Sequence, residues 1–344
     1  MFLKHLKLIN FRNLKKSEFS FSQNLTVIIG ENARGKTNLL EALYFFINGT
    51  GFRESREEEL IKFEETESSV EGSFNGLNLK IILLKKENKV EKKYYINKVK
   101  KRHVQYLAEQ SKAILFSPEQ LKIITDSPDV RRGYFDKQIS FYDFEYKKKL
   151  SNYENALRRR NKILEFHKDE NKLKEELNFW NEYLVKQGVY ITKKREEYVA
   201  YLNNNPKVSS RDFRVEYKKN EVSEVRLEES FEQEKKWRRT VIGPQKDDFQ
   251  FFLKSKIDYK NIHHFGSRSE QRMVIMWLKL NEVKFYEEKF QKKPIILLDD
   301  VFSEFDTPNK KLILSLVKKY QSVVTTTEKD ILKMTDVEKK VIEL

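Results

Sequence analysis

The 344 residues carry 68 Lys and Arg against 53 Asp and Glu, a formal charge of +15, with 39% apolar residues, 6 Pro and 10 Gly. This composition folds rather than staying disordered, and the length accommodates two domains or one large domain with an insertion. The absence of cysteine excludes disulfides, thiolate zinc sites and cysteine nucleophiles, while the positive balance favours a polyanionic partner, nucleic acid or an acidic membrane surface. Histidines are few and, apart from His263-His264, scattered without metal-ligand spacing. No apolar run approaches the ~18 residues of a membrane span, and the opening FLKHLKLINF alternates apolar with charged residues. A cytoplasmic protein without a membrane partner is expected.

In chain order, Phe2–Phe11 and Glu18–Phe21 alternate apolar residues and read as a strand pair around an Arg12-Asn13 turn. A buried strand, Leu25–Gly30, leads into Gly30-Glu31-Asn32-Ala33-Arg34-Gly35-Lys36-Thr37, the Walker A pattern G-x-x-x-x-G-K-[ST]. Glycines let successive backbone N–H groups and the following helix N-terminus face phosphates. Lys36 adds a point charge for β- and γ-phosphates, and Thr37 a hydroxyl ligand for Mg²⁺. The helix Asn38–Asn48 places Leu39, Leu40, Leu43 and Phe46 or Ile47 on one face and closes at Gly49 and Gly51. Ser69–Phe74 and Leu77–Leu84, joined by Asn75-Gly76, read as a hairpin. Strands Lys92–Ile96 and Ile114–Phe116 follow, the latter ending at Ser117-Pro118-Glu119.

From about Asp129 the texture changes to Lys, Glu, Asn and Arg. Leu150, Tyr153, Leu157, Asn161 and Leu164 keep a 3/4 spacing, as do Leu173, Leu177, Trp180, Leu184, Gln187 and Ile191. An antiparallel helical hairpin turning at His167–Asn171 is expected, serving either as a functional arm or as a plain insertion. Asn203–Ser210 reads as a polar linker. Then Ile295–Leu298 runs into Asp299-Asp300, a Walker B pattern. Its first carboxylate suits Mg²⁺, and its second suits orienting or deprotonating an attacking water. A last strand, Ser322–Thr325, meets Thr326, Thr327 and Glu328. Alternating strands and helices predict a largely parallel core sheet.

These segments together resemble the RecF family, in the SMC-like branch of ABC-type ATPases. The resemblance rests on LINFRNL at Leu8–Leu14, GENARGKTNLLEAL at Gly30–Leu43 and GTGFRES at Gly49–Ser55. It continues through LFSPEQLKIITDSPDVRRGYFD at Leu115–Asp136, GPQKDDF at Gly243–Phe249, SRSEQR at Ser267–Arg272 and PIILLDDVFSEFD at Pro294–Asp306. It implies an α/β, ABC-type P-loop ATPase head (1–128 and 236–344, lobe I) with a mixed, largely parallel core sheet plus an antiparallel β subdomain, and an inserted helical hairpin domain (129–235, lobe II).

For the site, the resemblance implies an ATP-binding set of Arg12, Gly30, Glu31, Asn32, Ala33, Arg34, Gly35, Lys36, Thr37 and Asn38. Mg²⁺ falls to Thr37 and Asp299, and the catalytic roles to Asp300, Lys36 and Ser267. Ser267 matches the signature serine that contacts the γ-phosphate bound to a second copy, and Ser303–Asp306 the D-loop at that interface. ATP then drives dimerisation on double-stranded or gapped DNA, and slow hydrolysis releases it, with RecR and RecO as partners and RecA loading as the outcome. The sequence departs from the family at Ser269 and Glu270, where Gly and Gln are usual. A carboxylate near a γ-phosphate is electrostatically unhelpful, which keeps a non-hydrolysing DNA-binding scaffold as the alternative. Gln245 replaces a usual His, and Thr325–Thr327 occupy the switch region.

A transporter subunit fits poorly, because the span from Lys36 to Ser267 far exceeds a compact transporter domain. Candidate DNA-phosphate contacts are Arg131 and Arg132, Lys148 within Lys147–Lys149, Arg158, Arg159 and Arg160 with Lys162, and Arg238-Arg239. Each cluster reads equally as a solvated face.

Overall fold

The computed structural model describes residues 2–53, 56–74, 76–87, 89–166, 170–256, 258–303, 307–327, 332–333 and 336–344. Asn75 of the hairpin turn, Glu54 and Ser55, residues 167–169 of the helical turn, Glu304–Asp306 of the D-loop stretch and Glu328 lie outside them. The chain divides into two compact units, Met1–Glu119 with Glu282–Leu344, and Gln120–Asn281.

The first unit contains two sheets. One is antiparallel, in the order Leu14–Ser20, Leu3–Phe11, Glu67–Phe74, Leu77–Lys86, Lys89–Ile96, Val99–Lys101. Its inner face carries Leu6, Leu8, Val70, Leu79, Ile81 and Leu83, all fully buried. The first strand breaks strict alternation, since Leu3, Leu6 and Leu8 all point inward. A register shift between Leu3 and His5 against Glu67–Phe74 absorbs the extra residue. The other sheet is wholly parallel, in the order Lys339–Glu343, Leu25–Ile29, Ser322–Thr326, Ile295–Asp299, Ala113–Phe116. Its four strands other than Lys339–Glu343 are buried at every position, which explains their uninterrupted apolar runs.

The helix after the Walker A loop packs against strands of both sheets. It begins at Lys36, two residues earlier than the periodicity predicts, because Gly35 at φ 101° turns the chain directly into it. Leu39 through Ile47 are all buried, so the helix is enclosed all round rather than on one face. Three elements carry too little local signal to be read from sequence: the turn Glu57–Leu60, the helix His103–Ala108 and the edge strand Lys339–Glu343.

The second unit contains the helices Pro128–Tyr142, Phe144–Phe166 and Glu170–Asn204. The last two pack along each other through Leu164, Leu173 and Leu177, with Tyr153, Ala156, Leu184 and Ile191 buried further along. The unit also has an antiparallel sheet, in the order Tyr259–Asn261, Asp248–Lys254, Arg211–Lys218, Lys207–Val208. Phe213 and Val215 alternate inward against Phe249, Phe251 and Leu253. The stretch read as a linker therefore contains a short strand. The residues 120–128 and 236–281, grouped from sequence with the head, cluster here with the helices, the latter because Asp248–Lys254 pairs in register with Arg211–Lys218.

The enclosure of the Walker A helix gives a stability prediction. Leu40→Ala should cost about 2–5 kcal/mol in urea unfolding, since its neighbours close in from both sheets. A loss below about 0.5 kcal/mol would show that the helix is not the packed centre of this unit.

Candidate functional site

The Walker A loop is shaped by its backbone. Ala33 at φ 64° and Gly35 at φ 101° both adopt left-handed conformations, a curl of the kind that turns successive N–H groups toward an anion. Gly30 is excluded from bearing a side chain by proximity: a Cβ there would come 2.5 Å from the Leu344 carbonyl. Lys36, 8% exposed, donates through its ammonium to the Gly30 and Glu31 carbonyls at 2.7 and 2.8 Å. It is thus stretched across the mouth of the loop. Asn38 donates to Asn13 Oδ1 at 2.8 Å, and the Asn13 amide covers Gly35. Arg34 pairs with Glu31 at the exposed rim at 3.1 Å.

The Walker B carboxylate meets this loop directly. Asp299 Oδ1 accepts from Thr37 Oγ1 at 3.1 Å and from Thr325 Oγ1 at 2.8 Å. Burial pushes the Asp299 carboxyl up, while the bonds from Thr325 and Thr37 and the charge of Arg53 oppose it. Asp300, at φ 50°, is turned out of the strand and held by its N–H to the Thr325 carbonyl and hydroxyl at 3.2 and 3.0 Å. A hydroxyl and a carboxylate oxygen converging this closely are hard oxygen donors of the kind Mg²⁺ takes. Thr325, read from sequence only as part of a switch, holds both carboxylate residues of the Walker B pattern, Asp299 through its hydroxyl and Asp300 through that residue's N–H.

Arg12 is fixed from below. Its Nε donates to Glu41 Oε2 at 2.9 Å, and Nη1 lies 3.7 Å from Glu59. Glu41 is fully buried within the Walker A helix and also accepts the Phe52 and Arg53 N–H groups at 3.3 and 2.9 Å. The sequence signal for this anchor was a lone carboxylate in an otherwise apolar run.

The signature segment lies in the second unit. Ser267 Oγ accepts the Glu270 N–H at 3.3 Å, and Glu270 Oε2 accepts the Ser267 N–H at 2.7 Å. This is a reciprocal capping box on the helix Arg268–Phe290. Lys260 Nζ donates to both Glu270 oxygens at 2.7 Å. Burial pushes Glu270 up, but Lys260 and the Ser267 bonds outweigh it, and the carboxyl ends below its ordinary value. The carboxylate expected to disturb the site is therefore charge-compensated and holds the helix start in place.

The family model described as RecF/RecN/SMC N terminal domain matches residues 2–343. The chain is 32% identical to the DNA replication and repair protein RecF of Bacillus cereus (strain AH820), over 96% of this chain and 93% of that protein. The chain belongs to the RecF family. Two solved structures of the recombination mediator protein RecF in the RecFOR pathway share 32% identity with it. The one described as RecF-ATPrS gives a TM-score of 0.85 over 100% of this chain and 96% of that one, and the one described as RecF-ATP gives 0.82 over 98% and 93%. The fold is accordingly the ABC-type ATPase head with its inserted unit.

Two RecF-family segments that stood out in the sequence prove to hold each other. Arg131 grips Asp248 with two bonds of 2.6 and 3.2 Å, and Arg132 donates to the Asp247 carbonyl at 2.6 Å and to Asp129. Asp247 itself is buried and paired with Arg195 at 2.6 Å. Gln245, in the position of the usual His, accepts from the Tyr153 hydroxyl.

Arg160 and Arg131, expected from the sequence to meet DNA phosphates, are buried. Arg160 is 1% exposed and pairs with the fully buried Glu234 at 2.6 Å, with further bonds to Asn181 and Thr240. It is a structural ion and offers nothing to DNA. Arg131 is likewise buried, and the Arg132 side chain is only 14% exposed. Lys148, Arg158, Arg159, Lys162, Arg238 and Arg239 are exposed.

Glu270→Ala should cost about 1 kcal/mol near neutral pH by removing both cap and ion pair. A carboxyl lowered on folding contributes stability above its ordinary value of 4.5 and loses it as pH falls through the lowered value. The difference between the two proteins should therefore shrink in denaturant titrations carried below that pH. A difference constant across the acid range would exclude the ion pair.

Proposed function

We propose that this chain is an ATP-dependent DNA-binding protein of DNA replication and repair. The observation that carries this reading is the junction of Thr37, Asp299 and Thr325 beside the Lys36 ammonium, in a chain of the RecF family. The backbone of Gly30 to Asn38 and the Lys36 ammonium bind the phosphates of ATP, with Arg12 alongside. Thr37 and Asp299 hold Mg²⁺, which when bound neutralises phosphate charge. Asp300 orients the attacking water and receives its proton.

Ser267, backed by the positive end of the helix Arg268–Phe290, faces the γ-phosphate held by a second copy. ATP binding thus closes a dimer on double-stranded or gapped DNA, and slow, DNA-stimulated hydrolysis opens it. The division of labour assigns the head to the first unit and the inserted arm to the second. The relatives' RecFOR pathway supports RecR and RecO as partners and RecA loading as the consequence. Among the described residues no helix is long and apolar enough to cross a membrane. With the charge of +15, this supports a nucleoid-associated protein of the cytoplasm.

The non-hydrolysing scaffold loses its main support. Its motive was Ser269 and Glu270 in place of the usual Gly and Gln, and Lys260 compensates the Glu270 charge.

Removing the Lys36 ammonium tests the ATP clamp. Lys36→Met should abolish the ATP stimulation of DNA binding, followed by anisotropy of a labelled gapped duplex, while leaving binding without nucleotide within about two-fold. ATP stimulation that survives the substitution overturns the clamp. Separately, Asp300→Asn should lower phosphate release at least ten-fold with ATP affinity retained. Unchanged release would remove Asp300 from the chemistry.

A further inference from the structure

The paired helices of the second unit expose an unusual aromatic group. Phe179, Trp180 and Tyr183 lie on one turn of the helix Glu170–Asn204 and contact one another. Phe179 and Trp180 meet edge to face at 5.0 Å, Phe179 and Tyr183 are stacked at 6.2 Å, and Trp180 and Tyr183 meet edge to face at 6.2 Å. Phe179 is 62% exposed, and Phe166 at the end of the neighbouring helix is 73% exposed. Large aromatic rings in such an arrangement cost solvation energy that a plain helical spacer does not need to bear.

Cations border the group on the neighbouring helix, while its own helix also exposes Glu175, Glu176 and Glu182. The Arg159 guanidinium lies 5.5 Å from the Trp180 ring centre, reaching across from the antiparallel helix. Arg159, Lys162 and Phe166 follow at i, i+3 and i+7, one face of that helix, and all three are exposed. Among the described residues neither Arg159 nor Lys162 forms an ion pair. This distinguishes the group from Tyr190 further along, where Lys149 and Lys194 flank the ring but are occupied by Glu145, Asp143 and Glu197.

Aromatic faces set among uncompensated arginine and lysine make the chemical signature of unpaired nucleobases on a phosphate backbone. Rings stack on bases of any sequence, and the cations neutralise phosphates. Duplex DNA hides its base faces and has no use for the rings. A protein partner would meet the same apolar surface, but the free cations and the charge of +15 favour a polyanion.

We infer that Phe179, Trp180 and Tyr183, with Arg159 and Lys162, form a stacking platform for single-stranded DNA on the inserted unit. The three rings span about 6 Å of helix axis, enough for one or two bases. The inference rests on the DNA-binding reading above and sharpens it: the arm takes the unpaired part of a gapped substrate. Sequence readout is absent, because no side-chain amide or carboxylate is required by the platform.

The test uses the full chain carrying Trp237→Phe, which removes an exposed tryptophan and leaves the half-buried Trp180 and the fully buried Trp277. Trp180 emission is titrated with an oligothymidylate and, in parallel, with a duplex of equal length. The oligothymidylate should quench the emission, with an affinity that weakens as salt rises, and the duplex should not. Replacing Phe179 and Tyr183 together by Ala should weaken single-strand binding about ten-fold, with duplex binding within two-fold and the thermal midpoint unchanged. Arg159→Gln, which leaves the rings in place, should weaken it several-fold.

Duplex binding without any response of Trp180 to the single strand overturns the platform alone. Failure of both ligands to bind overturns the DNA-binding reading as well. If the ring substitutions leave single-strand affinity intact and instead change the sedimentation coefficient, the patch is a protein interface and the inference is wrong.

Discussion

One carboxylate oxygen ties the nucleotide site together. Asp299 Oδ1 accepts from Thr37, at the start of the Walker A helix, and from Thr325, on the strand between the two Walker strands. Three neighbouring parallel strands thus deliver their C-terminal ends to one point, where open α/β sheets place their ligands. The arrangement depends on the all-round burial of the helix Lys36–Asn48, which fixes Thr37 relative to the sheet. It also depends on Gly35, whose left-handed backbone lets that helix start immediately beside the loop.

A second constraint is the disposal of buried charge. Glu41 is enclosed in the Walker A helix and answered by Arg12 and two backbone N–H groups. In the inserted unit Arg195 bridges Asp136 and Asp247, and Arg160 answers Glu234. Removing one member of such a pair strands the other without solvent and typically costs several kcal/mol. The motif residues Arg131, Arg132, Asp247 and Asp248 therefore act first as an internal clasp.

The legibility of the sequence followed the range of the interactions. The Walker A loop, its flanking strand and helix, and the Asn75-Gly76 hairpin are local constructions, and their residue types declare them. The parallel sheet showed itself through uninterrupted apolar runs. What escaped was non-local. Arg160 looks like any member of an exposed basic run until Glu234, 74 positions away, closes over it. The strand Arg211–Lys218 alternates, but with so many charges outward that it reads as polar chain. Glu270 appeared as a damaged signature because the exact helix start was unknown. Once that helix begins at Arg268, Ser267 and Glu270 fall into cap positions and the departure becomes a stabilising device. Lys260 had no signal of its own.

The central claim is that the Walker site of this RecF-family chain is half of a composite site completed by Ser267 of a second copy. Sedimentation velocity of the full chain with Mg²⁺ and ATP, with and without gapped DNA, tests it most directly. The account predicts a monomer without nucleotide and a dimer with ATP, more populated when gapped DNA is present. A chain that stays monomeric at saturating ATP on gapped DNA, or that dimerises equally without nucleotide, would contradict it.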